Sequence, residues 1–198
     1  MEVEDRLQDN LEMLRRCIIE GNVESSKKVV FECEKKFKLS FNDQRVNYHI
    51  SAMRNDEFST ALIPREAELK SCIALKTTGN ANCMFNAASL LLAGNESLSD
   101  VIRLLVAGKV FFFSEFYIQT IQDRFLEVEK ETSYSEASVF STILTEAGEK
   151  EMTNSKNPLE AIHAEACNTC LTINWNGMVQ MMALSTVLRR PIFRFDFL

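Results

Sequence analysis

Residues 77–96, TTGNANCMFNAASLLLAGNE, join a turn rich in glycine and asparagine to a run of apolar residues. Residues 83–93 of this stretch carry apolar side chains on nearly every face, which predicts a buried central helix. Gly94 suits the left-handed backbone conformation that commonly ends a helix. The stretch therefore places Cys83 at the start of a helix that the rest of the fold is expected to surround.

A cysteine at the start of a helix has two interpretations. The unpaired N–H groups and the partial positive charge of a helix N-terminus stabilise an anion, and the thiolate is the nucleophilic form of cysteine. Residues 79–82 tolerate sharp turns, so consecutive backbone amides there could point inward and bind an oxyanion. Free cysteine is also among the most buried residue types. The local pattern leaves open an acyl-transfer nucleophile and a small buried residue.

Composition and charge narrow the classes of function. The 198 residues are 46% hydrophobic and 25% charged, as in an ordinary globular protein with a sizeable core. The formal net charge of −6 provides no basic field for nonspecific binding to phosphate backbones. The longest apolar runs are too short for a membrane span. The sequence therefore favours a protein partner over nucleic acid or a membrane.

The six cysteines indicate reduced thiols rather than a disulfide framework. A chain of this length and hydrophobicity does not need disulfides, and its acidic first residues do not resemble a signal peptide. Cys167 and Cys170 form a C-x-x-C pair, but structural zinc takes four ligands and no second pair follows. We expect no metal, no cofactor, and a cytoplasmic or nuclear location.

The pattern of apolar residues predicts two domains. Residues 1–58 are predicted to be a helical extension with amphipathic helices over 2–20 and 23–38. Gly21 and Asn22 separate the two helices. A second domain begins at residue 59, and Gly108 is a candidate break within the helix predicted over residues 101–121. Apolar periodicity and capping residues predict helices in this domain over residues 83–93, 101–121, 158–167 and 177–188. The alternating side chains of residues 191–198 predict a strand.

Motifs in the second domain resemble, in order and spacing, those of the ovarian-tumour (OTU) family of cysteine proteases. Residues 80–87, NANCMFNA, resemble the family's nucleophile segment D-G-N-C-L-F/Y-x-A. Later residues correspond to its leucine/arginine helix, F-Y pair, W-G-x segment, A-L-A helix and R-P-I strand: Leu98, Arg103, Leu104, Phe116-Tyr117, Trp175-Asn176-Gly177, Ala183-Leu184-Ser185 and Arg190-Pro191-Ile192. Vertnin-like animal members are similar in the helical N-terminal extension and in the A-L-x-x-V-L-x-R pattern of residues 183–190.

The resemblance implies an α+β fold, in which an OTU-like, papain-related core of residues 59–198 has a small central sheet flanked by helices. It implies Cys83 as the nucleophile, Asn80 at the position of the family's Asp, and the backbone amides of Asn80, Ala81 and Asn82 as the oxyanion-binding segment. The implied activity is hydrolysis of ubiquitin isopeptide conjugates through a thioester. Ubiquitin or a ubiquitinated protein is the implied partner, and no cofactor is needed.

Departures from the family pattern leave an alternative open. Asn80 and Ala81 stand where the family has Asp and Gly. The family's general-base His lies beyond its R-P-I strand, so we expect the OTU-like domain to be incomplete at its C-terminus. The chain's own histidines, His49 and His163, fall in the N-terminal connector and in the helix before the Trp motif, where the family has no base. The alternative is a catalytically inactive OTU-like domain that binds ubiquitin or another regulatory partner, and an unrelated α+β binding module comes third.

Overall fold

The computed structural model describes residues 2–42, 54–61, 63, 74–129, 143–171, 174 and 177–192. Nine α-helices carry the architecture of these residues. They are α1 (Glu2–Ile19), α2 (Val23–Asn42), α3 (Glu57–Ala61), α4 (Cys83–Ala93), α5 (Ser99–Phe112), α6 (Ser114–Glu129), α7 (Glu146–Ser155), α8 (Pro158–Thr169) and α9 (Met178–Leu188).

Helix α5 lies at the centre of the fold. It contacts α1, α2, α4, α6, α8 and α9, and every side chain from Ile102 to Phe111 is buried. A helix that is apolar on nearly all sides is expected to be covered on all sides, and α5 meets that expectation. The predicted helix at Cys83 is confirmed as α4, but its Leu91 is exposed, so α5 rather than α4 is the central helix.

The N-terminal hairpin, formed by α1 and α2, packs on α5 and shares its core. Gly21 takes the left-handed conformation between the two helices, with φ 70°. Leu14 and Val30 of the hairpin belong to the same hydrophobic core as residues of α4, α8 and α9. Gly108 does not break the helical run. It lies inside α5 and lets the hairpin approach closely, and the helix ends instead at Phe112, with Phe113 as its C-cap residue.

The predicted small central sheet is absent from the described residues, so the α+β class expected from the resemblance is wrong for this part of the chain. The pairing of extended segments there is limited to an isolated antiparallel bridge between Asn55 and Leu75. The physical reason is that α5 occupies the middle of the core, where the surrounding helices bury their apolar faces against it without a sheet. Of the strand predicted over 191–198, residues 193–198 lie outside the described residues.

Residues at the helix starts predict where the last two helices begin to within one residue. Asn157 caps α8 by accepting a hydrogen bond from the Leu159 amide at 3.0 Å, and Pro158 follows at the first helical position, as predicted. Helix α9 begins at Met178, one residue after the start predicted at residue 177, with Gly177 as its N-cap. Helix α7 was not anticipated, because residues 146–155 carry few apolar side chains. None of the helices in the described residues combines the length and the apolar character needed to cross a membrane.

Candidate functional site

Cys83 is the first residue of α4, and its side chain is exposed. The other cysteines that the structure describes are buried or half-buried: Cys17, Cys33, Cys167 and Cys170. The first amides of a helix have no acceptor within the helix. The N-cap residue, Asn82, makes no side-chain hydrogen bond to them. Cys83 therefore lies beside uncapped N–H groups at the positive end of the helix dipole.

Residues 78–82, which we call the asparagine turn, are held by hydrogen bonds to α4. Asn80 Oδ1 accepts from the Asn82 amide and from Nδ2 of Asn86, both at 3.2 Å. Asn86 is buried, and its Nδ2 also donates to the Thr78 carbonyl at 3.1 Å. Ala81 adopts the left-handed conformation with φ 60°, which is unfavourable for a residue with a Cβ atom. The turn thus has a defined conformation.

Two of the three amides predicted to bind an oxyanion donate hydrogen bonds inside the turn. The Asn80 amide donates to the Thr78 carbonyl at 3.1 Å, and the Asn82 amide donates to Asn80 Oδ1. Asn80 itself acts as an acceptor, a role that an aspartate carboxylate would fill equally well. The assignments of Asn80, Ala81 and Asn82 to an oxyanion site, and of Cys83 to nucleophilic attack, remain predictions.

Arg103 holds the asparagine turn from inside the core. Only 1% of this residue is exposed. Its Nε donates to Asn82 Oδ1 at 2.7 Å and its Nη2 to the Ala81 carbonyl at 3.2 Å. Its Nη1 donates to the carbonyls of Thr169, at 3.1 Å, and Leu171, at the end of α8. One guanidinium therefore connects the turn before Cys83 to a segment far away in the sequence.

The charge of Arg103 is maintained in an unfavourable environment. Burial lowers the pKa of Arg103, and the nearby carboxylate of Asp100 raises it in part. The guanidinium also lies over the Phe85 ring, 4.7 Å from its centroid. A buried cation is tolerated when hydrogen bonds and opposite charges replace its hydration, as they do here.

Among the described residues, no histidine is hydrogen-bonded to Cys83. His163 is half-buried on α8, and its ring packs against Phe111 with 4.5 Å between centroids. Burial lowers the pKa of His163. His49 lies outside the described residues, and so do Trp175 and Asn176 of the predicted Trp motif.

A second buried polar network lies next to the hydrogen bonds of Arg103, with Thr169 taking part in both. The sequence did not predict it. Glu165 is fully buried on α8 and accepts hydrogen bonds from the Thr145 amide and hydroxyl and from Gln180 Nε2. Gln180 Nε2 also donates to the Thr169 hydroxyl at 3.1 Å, and its Oε1 accepts from the Gly177 amide at 2.8 Å. The network therefore ties the start of α9 to α8. Its sequence signal is a lone Glu or Gln at a buried position of a helix.

Burial also raises the pKa values of the two thiols in the C-x-x-C pair. Desolvation raises the pKa of the Cys167 thiol and raises that of Cys170 to about 12. Cys167 Sγ lies 3.6 Å from the Ile18 carbonyl of α1. These thiols therefore stay protonated and pack between α8 and the N-terminal hairpin.

Comparisons with curated proteins and with solved structures found no match. A family model described as "Vertnin, OTU domain" matches residues 74–195, which is more than half of the chain. The matched segment includes the asparagine turn, Cys83, Arg103 and all helices from α4 to α9, and it leaves the N-terminal hairpin outside. The chain therefore belongs to the OTU domain family of vertnin.

Proposed function

We propose that this chain is an OTU-type thiol hydrolase domain that recognises ubiquitin and attacks its C-terminal isopeptide bond with Cys83. The observation that supports it most directly is the exposed thiol of Cys83 at the uncapped start of α4, beside a turn held by buried hydrogen bonds. Membership of the OTU family supports the type of domain. Ubiquitin as substrate follows from the resemblance of the motifs around Cys83.

The proposed reaction has two steps. The Cys83 thiolate attacks the carbonyl carbon, a C–S bond forms, and the C–N bond breaks as the amine leaves with a proton. Water then attacks the thioester and releases a carboxylic acid and the free thiol. Backbone N–H groups near the start of α4 would stabilise the negative oxygen in each step. A base must accept the thiol proton. Because no histidine lies against Cys83 among the described residues, this base would be a residue outside the described part of the protein.

A ubiquitin that carries an electrophile at its C-terminus tests the proposal. We expect the chain to form one covalent adduct, detected by intact-protein mass spectrometry and mapped to Cys83 by peptide analysis. Cys83→Ala should abolish the adduct. Cys167→Ala, which removes a half-buried thiol on α8, should leave it unchanged. The absence of an adduct from folded wild-type protein would contradict the hydrolase proposal.

The second candidate is a domain that binds ubiquitin without cleaving it. Two observations favour it: the amide side chain at the position of the family's Asp, and the lack of a histidine bonded to Cys83 among the described residues. Here, Cys83→Ala would bind unmodified ubiquitin as tightly as the wild type does, measured by NMR titration, and neither protein would cleave a fluorogenic ubiquitin amide. Cleavage by the wild type alone would favour the hydrolase.

A further inference from the structure

We infer that Arg103 is a positioning residue for Cys83, because its guanidinium sets the conformation of the turn that carries the thiol and anchors that turn to the end of α8. The inference rests on the proposed function, in which Cys83 is the nucleophile. Arg103 acts through Ala81 and Asn82, the two residues that immediately precede Cys83.

Arg103 binds the side chain of Asn82, the N-cap residue of α4. An asparagine at an N-cap usually accepts a hydrogen bond from a first-turn amide and thereby caps the helix. Asn82 Oδ1 instead accepts from Nε of Arg103, at 2.7 Å, and caps nothing in α4. Arg103 therefore keeps the cap side chain in the core, and the amides at the start of α4 remain for a negative group at Cys83.

Arg103 also supports the backbone of the asparagine turn. Ala81 has φ 60°, a conformation that alanine rarely adopts without support. Nη2 of Arg103 donates to the Ala81 carbonyl, and Asn80 Oδ1 accepts from the Asn82 N–H of the same peptide group. These bonds fix the direction in which the chain enters α4. A misplacement of a reacting group by about 1 Å can cost a hundredfold in rate, so this direction matters for attack by Cys83.

The third nitrogen of the Arg103 guanidinium, Nη1, anchors the turn to the end of α8. Nη1 binds the carbonyls of Thr169 and Leu171, which lie just before the Trp motif of residues 175–177. Arg103 thus joins the turn before Cys83 to the residues that precede the Trp motif in the sequence. A lysine has the same charge but concentrates its donors on one atom, so it cannot reach all of these oxygens from the same position.

The test compares two substitutions that keep a buried cation on α5. Arg103→Lys alters the hydrogen bonds to Ala81 and Asn82, just before Cys83. Lys109→Arg alters a buried cation that pairs with Glu34 of α2. Three quantities are measured for each: the stability to urea, the rate of adduct formation with the ubiquitin electrophile, and the rate at which iodoacetamide alkylates Cys83. We expect Arg103→Lys to slow both reactions by about tenfold or more and Lys109→Arg to change neither.

NMR signals from the start of α4 distinguish a positioning role of Arg103 from a general loss of stability. In Arg103→Lys, the released Asn82 side chain can cap α4, so the ¹H–¹⁵N signals of Cys83 and Met84 should move, while they stay in place in Lys109→Arg. A second variant, Asn82→Ala, removes only the acceptor of Nε and should slow the same two reactions, which keeps the inference testable if Arg103→Lys unfolds.

The outcomes distinguish the two proposals. If wild-type protein forms no ubiquitin adduct but Arg103→Lys slows the alkylation of Cys83, the proposed function fails and the positioning role stands. If folded Arg103→Lys or Asn82→Ala reacts with iodoacetamide as fast as the wild type, the positioning role is overturned. Equal slowing in Lys109→Arg would overturn it as well.

Discussion

Lys109 of α5 and Glu34 of α2 form an ion pair in the interior of the protein, with 2.9 Å between Nζ and Oε1. Lys109 Nζ also lies 4.7 Å from the ring centroid of Phe113. The pair joins the N-terminal hairpin to the central helix, in addition to the apolar contacts of Leu14 and Val30. The hairpin lies outside the segment that matches the OTU family, yet it shares the core of that segment.

Removal of Lys109 should destabilise the protein strongly. Lys109→Met leaves the Glu34 carboxylate buried without this cation, and the free energy of unfolding should fall by about 3–5 kcal/mol. Urea unfolding followed by circular dichroism measures the change. The double variant Lys109→Met/Glu34→Gln should recover part of the loss. As a control, Glu12→Gln at the exposed pair with Arg15 should cost less than about 1 kcal/mol. A Lys109→Met protein as stable as the wild type would contradict the prediction.

Gly108 should not tolerate a side chain. A Cβ atom there would lie 2.6 Å from Val30 Cγ2 and 3.3 Å from both terminal methyl groups of Leu14. Alanine is the better helix former by about 1 kcal/mol, but the overlap with a stiff valine should outweigh this gain and cost about 1–3 kcal/mol in net stability. Thermal unfolding tests the prediction, and Gly108→Ala/Val30→Ala should be less impaired by the overlap. Gly79→Ala, with nothing within 4 Å of the new methyl group, is the matched control and should be nearly neutral.

Glu165 should make stability depend on pH. Burial raises the pKa of Glu165 above its ordinary value of 4.5, although hydrogen bonds from Gln180, Thr145 and Gly148 lower it in part. The folded state therefore holds this proton more tightly than the unfolded chain does. Its contribution to stability is complete below pH 4.5 and is lost as the pH rises through the raised pKa.

The comparison of wild-type protein with Glu165→Gln isolates this effect. The difference in their free energies of unfolding should change with pH above 4.5, by at most about 1.4 kcal/mol per pH unit. Urea titrations at several pH values measure it. Glu20→Gln, at an exposed carboxylate, is measured in the same way as the matched control. A difference that does not vary with pH would show that the pKa of Glu165 is the same in the folded and unfolded states.

Asn80 should accept the family's aspartate but not alanine. Both of the hydrogen bonds that its side chain makes use Oδ1 as the acceptor, so Asn80→Asp keeps them and should change stability by less than about 0.5 kcal/mol. Asn80→Ala removes the acceptor of the Asn82 amide and one of the two acceptors of Asn86 Nδ2, and should cost about 1–2 kcal/mol. Urea unfolding of the two variants decides between these expectations, and equal losses would contradict them.

The helices were largely predictable because their signals are local. Apolar periodicity predicts α1 and α2, Gly21 and Gly94 mark sharp ends, and Asn157-Pro158 begins α8. The predictions failed where a contact between distant segments decides the outcome. Gly108 reads as a helix breaker along the chain, but inside α5 it is the point where Leu14 and Val30 approach. The central sheet was expected from the family resemblance, and the described residues pack as helices instead.

At the candidate site, the start of α4 at Cys83 after a turn of small and amide residues could be predicted from the sequence, because a turn and a helix start depend on interactions among neighbouring residues. The support that Arg103 gives this turn, and the link that Glu165 makes between α8 and α9, depend on contacts between segments that are distant in the sequence. The physical reason is that a buried charge must replace its lost hydration with hydrogen bonds from whichever segments the fold brings near. Ala81 and Leu171 meet at one guanidinium because α5 lies between the segments that carry them, and no local pattern specifies that meeting.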